Sequence, residues 1–309
     1  MQVNAQQNDA KRINLFIGEP NTGKSNIIEA LAFFSPGTFY ALQDVLRFKT
    51  TADLFFDQKV TNELSVQAGI WLLRLKFNAS RFQGQFFGQN GQHLNNFNMD
   101  HTRWEGGPPI PRFPIQFYQF KPSTAFTNNQ PGALNPPFGD NLVAILYSNE
   151  SLRQLVGLIF RSKGFRLQLK PVENELMLTK DVNDELYSYP WTSVSETLRR
   201  IVFYMAVLET NRDSTLLLDE PEANTFPFYT KYLAERIALD ETNQFFITTH
   251  NPYLLASIVE KTPVKDLAVF VTYMENFQTK VRKMSEEQLS KILDLSSDVF
   301  FNLEKLLAA

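Results

Sequence analysis

GEPNTGKS, residues 18–25, is the stretch on which the reading of this 309-residue chain turns. It fits G-x-x-x-x-G-K-[ST] at every required place. Its flanks also fit, since RINLFI (12–17) reads as a short buried strand and NIIEALAFF (26–34) as a helix. A phosphate cradle needs these residue types. Gly18 and Gly23 let the backbone wrap so that successive N–H groups face phosphate oxygens. Lys24 adds a point charge for the β and γ oxygens, and Ser25 offers its hydroxyl to Mg²⁺. A helix that starts at Ser25 contributes its positive N-terminal end. Asn21, Thr22 and Asn26, inside and just after the loop, complete the candidate nucleotide-binding set. The plain alternative is a glycine-containing turn before a helix that happens to carry Lys-Ser.

The second half of such a site lies far downstream. In STLLLDEPEA (214–223) four residues of a buried strand lead to Asp219, which places a carboxylate at the C-terminal edge of a sheet, where it can hold Mg²⁺ through water. Glu220 follows directly, on the opposite side of the strand end, where it can orient or deprotonate an attacking water. A strand ending in an acidic turn is the bland reading. QFFITTHNPYLL (244–255) ends its own strand near His250, one of 3 histidines in the chain, at a place where a γ-phosphate can be sensed.

Working outward, the strand–helix alternation STLLLD, PFYTKYLAERIAL, QFFITT, PYLLASIVE, DLAVFVTY argues for a parallel, doubly wound sheet. Residues 37–48 look helical, 63–87 should form an antiparallel meander, and 88–112 is an Asn-, Gly- and Pro-rich loop. PIQFYQF (114–120) is a further strand, followed by a loop over 122–140. Two helices follow at about 141–162, then the strand pair FRLQLKP and ELMLTKD, then a helix from near Ser193 to about Thr210. Helices are expected after residue 275. No repeat, heptad run or coiled-coil arm is present.

Composition narrows the classes. At 43% hydrophobic and 20% charged the chain is ordinary for a soluble globular protein, and its length suits one large α/β domain. The absence of Cys rules out a disulfide framework, thiolate metal site or Cys nucleophile, and suits a reducing, cytoplasmic setting. MQVNAQQNDAKR lacks the apolar segment of a signal peptide, and no apolar run is long enough for a membrane span. A net charge of −3 gives no global basic field, so any DNA or RNA contact must be local or belong to another subunit. RSKGFR (161–166) and KVRK (280–283) read as solvated faces.

WTSVSETLRR (191–200) has two readings. In one, Ser193 caps a helix and Glu196 reaches back to it. The other comes from resemblance. Gly18–Ser25 with NIIEAL, LLLDEPEA and ITTHNPYLL, in this order, resembles the ABC-type ATPases of the SMC/RecF/OLD branch in a compact form without arm or TOPRIM nuclease. That family carries a signature helix, L-S-G-G-E-x-x-R, just before the acidic strand. TSVSETLR matches it at Ser193, Glu196 and Arg199, with Val194 and Ser195 in place of the glycines. The resemblance implies that Ser193, Ser195 and Glu196 face the γ-phosphate held by a second protomer, so that two subunits sandwich two ATP molecules. It also puts Asn224 of EANTFP (222–227) at the D-loop, where the family often has His, and makes Gln119 in FYQF the candidate Q-loop glutamine for Mg²⁺ and water, with Gln116 close by; in a Gln-rich chain either also reads as a surface strand residue. The family normally has a strand or two ahead of the P-loop strand. Here a polar dozen residues precede it, so adenine stacking and the small-sheet edge are expected to be lost, supplied by a partner, or to lie ahead of a start recorded late.

The expected fold is thus α/β, a P-loop NTPase of ABC-ATPase type, with a mostly parallel doubly wound sheet, an antiparallel β meander and a helical lobe. A single domain is expected, with a P-loop lobe over 1–120, a helical and β lobe over 121–192, a signature-to-His core over 193–275 and C-terminal helices over 276–309. ATP and Mg²⁺ are the expected cofactors. The expected partners are a second copy of the chain and a separate nuclease or toxin-like effector, in antiphage defence or DNA repair. The competing reading is a slow or inactive ATP-binding scaffold that holds a partner closed. A transporter motor fits less well, because it wants an intact glycine signature.

Overall fold

The computed structural model describes residues 10–36, 38, 41–78, 81–99, 104–106, 114–122 and 125–303. Strand β1 (Ile13–Gly18) runs into helix α1 (Lys24–Ala32), and a short helix α2 (Leu42–Val45) follows. Next come β2 (Leu64–Ala68), β3 (Trp71–Asn78), β4 (Arg81–Phe87), β5 (His93–Met99) and β6 (Trp104–Gly106). Strand β7 (Ile115–Tyr118) precedes α3 (Leu142–Ser148) and α4 (Glu150–Arg161), then β8 (Arg166–Lys170), β9 (Glu175–Val182) and β10 (Glu185–Pro190). The last part alternates α5 (Glu196–Thr210), β11 (Thr215–Asp219), α6 (Pro227–Ala238), β12 (Gln244–Thr248), α7 (Pro252–Lys261) and β13 (Leu267–Glu275). It closes with β14 (Gln278–Lys283) and α8 (Glu286–Leu295).

The central sheet has the order β14-β13-β1-β12-β11-β7, parallel except for β14. Its middle strands read as continuous apolar runs because both faces are covered. The period of two divides them. Ile13, Leu15 and Ile17 share a core with Met205 of α5, Leu233 of α6 and Leu255 of α7. Phe16 turns the other way, onto Ile27 of α1 and Phe270 of β13. Leu217 and Phe117 join Ile28 of α1 and the inward side of the meander, Leu73, Phe86 and Phe97. At roughly 1.5–3 kcal/mol per fully buried Leu, Ile or Phe, these layers hold the C-terminal edge of the sheet, where the chain turns. Among the described residues no helix is long and apolar enough to cross a membrane.

Several expectations are corrected. The helix over 37–48 shrinks to one turn, since Leu46 already has extended backbone and residues 37, 39 and 40 lie outside the described ones. Leu42, Val45 and Leu46 bury themselves against the meander without needing a longer helix. The loop over 88–112 contains β5, whose Asn95, Phe97 and Met99 point inward opposite Phe86, Gly84 and Phe82. Its asparagines hid that alternation. A Cβ at Gly84 would sit 1.8 Å from the Phe97 ring, so the glycine makes room for the aromatic across the ladder. Residues 100–103 and 107–113 lie outside the described ones. The pair β8–β9 gains a third strand, β10. The C-terminal part is not all helix, because KVRK lies in β14, antiparallel to β13.

Candidate functional site

The loop after β1 is shaped by the hairpin beside it. Gly18 (φ 150°) leaves no room for a Cβ, which would meet Thr272 O and Oγ1 at 2.5 Å. Gly23 (φ 89°) is equally constrained, with Thr279 Oγ1 2.1 Å from the place of its Cβ. Thr22 Oγ1 lies 2.8 Å from Glu19 O and 2.6 Å from Thr272 Oγ1. The dependence of the loop on β13 and β14 was not readable from the motif. Asn21 stands exposed with φ 61°, Ser25 is half-buried and Asn26 is exposed in the first turn of α1. Asn26 Oδ1 accepts a hydrogen bond from Arg47 at 3.1 Å.

Lys24 is only 8% exposed. Its Nζ donates to the carbonyls of Gly18 and Glu19, at 2.8 Å each. Burial lowers its pKa, while the negative charges of Glu220 and Asp219 act in the opposite direction. The ammonium therefore rests on loop carbonyls within the field of both carboxylates.

Those carboxylates come from β11. Thr248 of β12 is in register with both Phe16 of β1 and Asp219 of β11, so the ends of the three strands form one edge. The Thr248 hydroxyl donates to Asp219 Oδ1. The Glu220 N–H donates to Thr248 O (3.2 Å) and Oγ1 (3.0 Å), and Glu220 takes φ 44°. That left-handed backbone is costly for a residue with a Cβ. It turns the side chain so that Oε1 lies 2.9 Å from His250 Nδ1.

Sequence reasoning passed over Glu222. It is 2% exposed. Thr249 Oγ1 donates to its Oε1, while Oε2 is buried without a hydrogen-bond partner among the described residues. Burial pushes its pKa up to about 7.

Register separates the two glutamines. Tyr118 of β7 pairs with Leu218 as the last rung, so Gln119 leaves the strand at the end where Asp219 lies and donates its N–H to Pro137 O at 3.0 Å, whereas Gln116 pairs with Leu216 inside the sheet. Ser25, Asp219 and Gln119 present a hydroxyl, a carboxylate and an amide oxygen, the hard donors that Mg²⁺ takes alongside nucleotide phosphates, so this donor set fits that ion. Among the described residues no group of three His, Cys, Asp or Glu could hold a metal by itself.

The opening of α5 differs from the expectation. Ser193 belongs to a single 3-10 turn, Trp191–Ser193, and is not the cap. Val194 is buried in extended backbone (ψ 142°), so the helix cannot begin before Ser195. Ser195 is the cap, its side chain accepting from Leu198 N at 3.5 Å. Glu196, the first helical residue, does not reach back. It takes Arg200 at 2.8 Å and Asn224 at 3.4 Å, and Arg200 pulls its pKa down. Thr197 Oγ1 donates to Asn224 O at 3.0 Å. These bonds fasten the start of α5 to the loop after Glu220. Ser193, Ser195 and Asn224 are all exposed.

A family model described as "AAA domain, putative AbiEii toxin, Type IV TA system" matches residues 38–256. The chain belongs to this AAA-domain family. The matched stretch of the AAA domain carries Asp219, Glu220 and His250, while the loop 18–25 lies ahead of it. Among solved structures, the Smc head bound to the C-winged helix domain of ScpA is similar, with a TM-score of 0.50 and 16% identity over 90% of this chain and 91% of that one. The Smc head of Pyrococcus furiosus, bound to the C-terminal domain of ScpA, reaches 0.47 at 14% identity, covering 91% and 92%. An ATP-binding cassette of an ABC transporter in its ADP conformation reaches 0.38 at 15%, covering 92% and 85%. No curated protein matches the sequence. In fold the AAA domain is similar to the Smc head.

Proposed function

We propose that this AAA domain binds and hydrolyses ATP, that two copies close on the nucleotide, and that closure gates a separate nuclease or toxin-like effector in antiphage defence or DNA repair. The pair Glu220–His250, 2.9 Å apart at the edge that carries the P-loop, is the observation that carries the reading. The loop amides of Gly18–Ser25 hold the phosphates, and Lys24 Nζ exchanges loop carbonyls for phosphate oxygens. Mg²⁺, held by Ser25, Asp219 and Gln119, supplies charge neutralisation at the phosphates. Glu220 takes the proton of the attacking water, and His250 holds that carboxylate in place. The exposed Ser193, Ser195 and Asn224 then meet the phosphate bound by the second copy. Membership of a family described as a toxin of a toxin–antitoxin system supports an effector-coupled setting.

The scaffold reading draws on two observations: the Ser195 hydroxyl is already engaged as a cap, and Val194 stands where a glycine would let backbone approach a phosphate. Phosphate release with Mg-ATP separates the readings. Steady turnover that disappears in Lys24→Ala supports the ATPase; ATP binding by calorimetry with no phosphate release supports the scaffold.

A further inference from the structure

Strands β13 and β14 are joined by Asn276 and Phe277 alone, with Glu275 paired to Gln278. Both loop residues have positive φ, 51° and 60°. This is the geometry of the two-residue turn that Asn-Gly satisfies best. Asn276 suits it. Phe277 does not, since a bulky side chain in the left-handed region is a strained exception. The residue is also 86% exposed. Glycine would relieve the strain and the exposure together, so the Phe at this point raises the question of a use outside the turn.

The position of the hairpin suggests the use. Its stem presses on the phosphate loop through Thr272 at Gly18 and Thr279 at Gly23, and Thr279 is only two residues from Phe277. A cleft of about 1140 Å³ opens here, between the central sheet and β2–β3. It starts at the first turn of α1, at Asn26 and Ile27, and has Phe277 on its lining. Phe16, stacked on Phe246 and Phe270, gives it an aromatic floor. Of the charges on its lining, Glu29 and Arg47 are paired with each other, and the Asp53 carboxylate takes the backbone N–H groups of Lys49 and Thr50. Such a lining suits a flat aromatic group better than a charged one.

We propose that this cleft is the base subsite of the nucleotide site, with the aromatic base of the triphosphate held by Gly18–Ser25 stacking on Phe277. The assignment rests on the ATP-binding reading above. It puts the stacking ring at the tip of the β13–β14 hairpin, downstream of His250.

Calorimetry with Mg-ATP and with Mg-tripolyphosphate, on the wild type and Phe277→Gly, tests it. Glycine suits the turn, so the variant keeps or raises its melting temperature. Its ATP affinity falls by about tenfold, the scale of one lost base–aromatic stack, while tripolyphosphate binding is unchanged. Equal ATP affinity in both proteins overturns the base subsite and leaves the phosphate site standing. An equal loss for both ligands also overturns it, because Phe277 would then be shaping the loop. A wild type that binds neither ligand overturns the subsite and the ATPase reading together.

Discussion

His250 Nδ1 lies 2.9 Å from Glu220 Oε1, across the gap between the ends of the neighbouring strands β11 and β12. The contact depends on the left-handed backbone at Glu220, φ 44°, which is fixed by two hydrogen bonds from its N–H to Thr248. A strained residue so firmly held at a sheet edge is the arrangement expected of a positioned base.

Glu220→Gln should retain ATP binding and slow phosphate release by about 10² to 10⁴, the usual worth of a general base. If His250 acts by holding Glu220, His250→Ala should slow turnover too, and the double variant should be little slower than Glu220→Gln alone. Single-turnover assays on the three variants check this. Multiplicative losses would give His250 a role independent of Glu220.

Glu222 gives the fold a pH dependence of known sign. Its folded pKa of about 7 lies above the 4.5 of an ordinary glutamate, so the folded state binds more protons than the unfolded state between these values. Its contribution to stability is full below about pH 4.5, is lost as pH rises through about 7, and is level above that. Glu222→Gln keeps an acceptor for Thr249 and cannot ionise. Its stability should therefore fall less than that of the wild type between pH 5 and 8, by on the order of 3 kcal/mol at most, and its melting temperature should fall less with it. Parallel melting curves across that range would contradict the assignment.

The parts of the site that were legible in the sequence are those where chemistry limits the residue choice. Gly18–Ser25 and LLLDE stand out because phosphate wrapping and a buried strand ending in a carboxylate leave few alternatives. The central strands were legible because both of their faces are buried. Strand β5 was hidden because Asn95 takes an inward place that an apolar residue would normally fill. The cap was misplaced by two residues, since Ser193 and Ser195 both suit a helix start and only the burial of Val194 decides between them. Thr272 and Thr279 carried no signal, because their role is to sit against two glycines distant in sequence.

Ser195→Ala removes the observed cap of α5 and should lower stability by about 1 kcal/mol. Ser193 caps nothing, so Ser193→Ala should leave the melting temperature within a degree or two of the wild type. Thermal melts of the two variants side by side test this, and equal destabilisation would mean that α5 starts earlier than Glu196.

The central claim is that ATP brings two copies together through Ser193 and its neighbours. Light scattering on Glu220→Gln, with and without Mg-ATP, measures this most directly, because slow hydrolysis lets the closed form accumulate. The mass should double on adding Mg-ATP, and Ser193→Arg in the same background should stay monomeric while still binding ATP. A Glu220→Gln protein that binds ATP and remains a monomer, or a Ser193→Arg variant that still doubles in mass, would contradict the account.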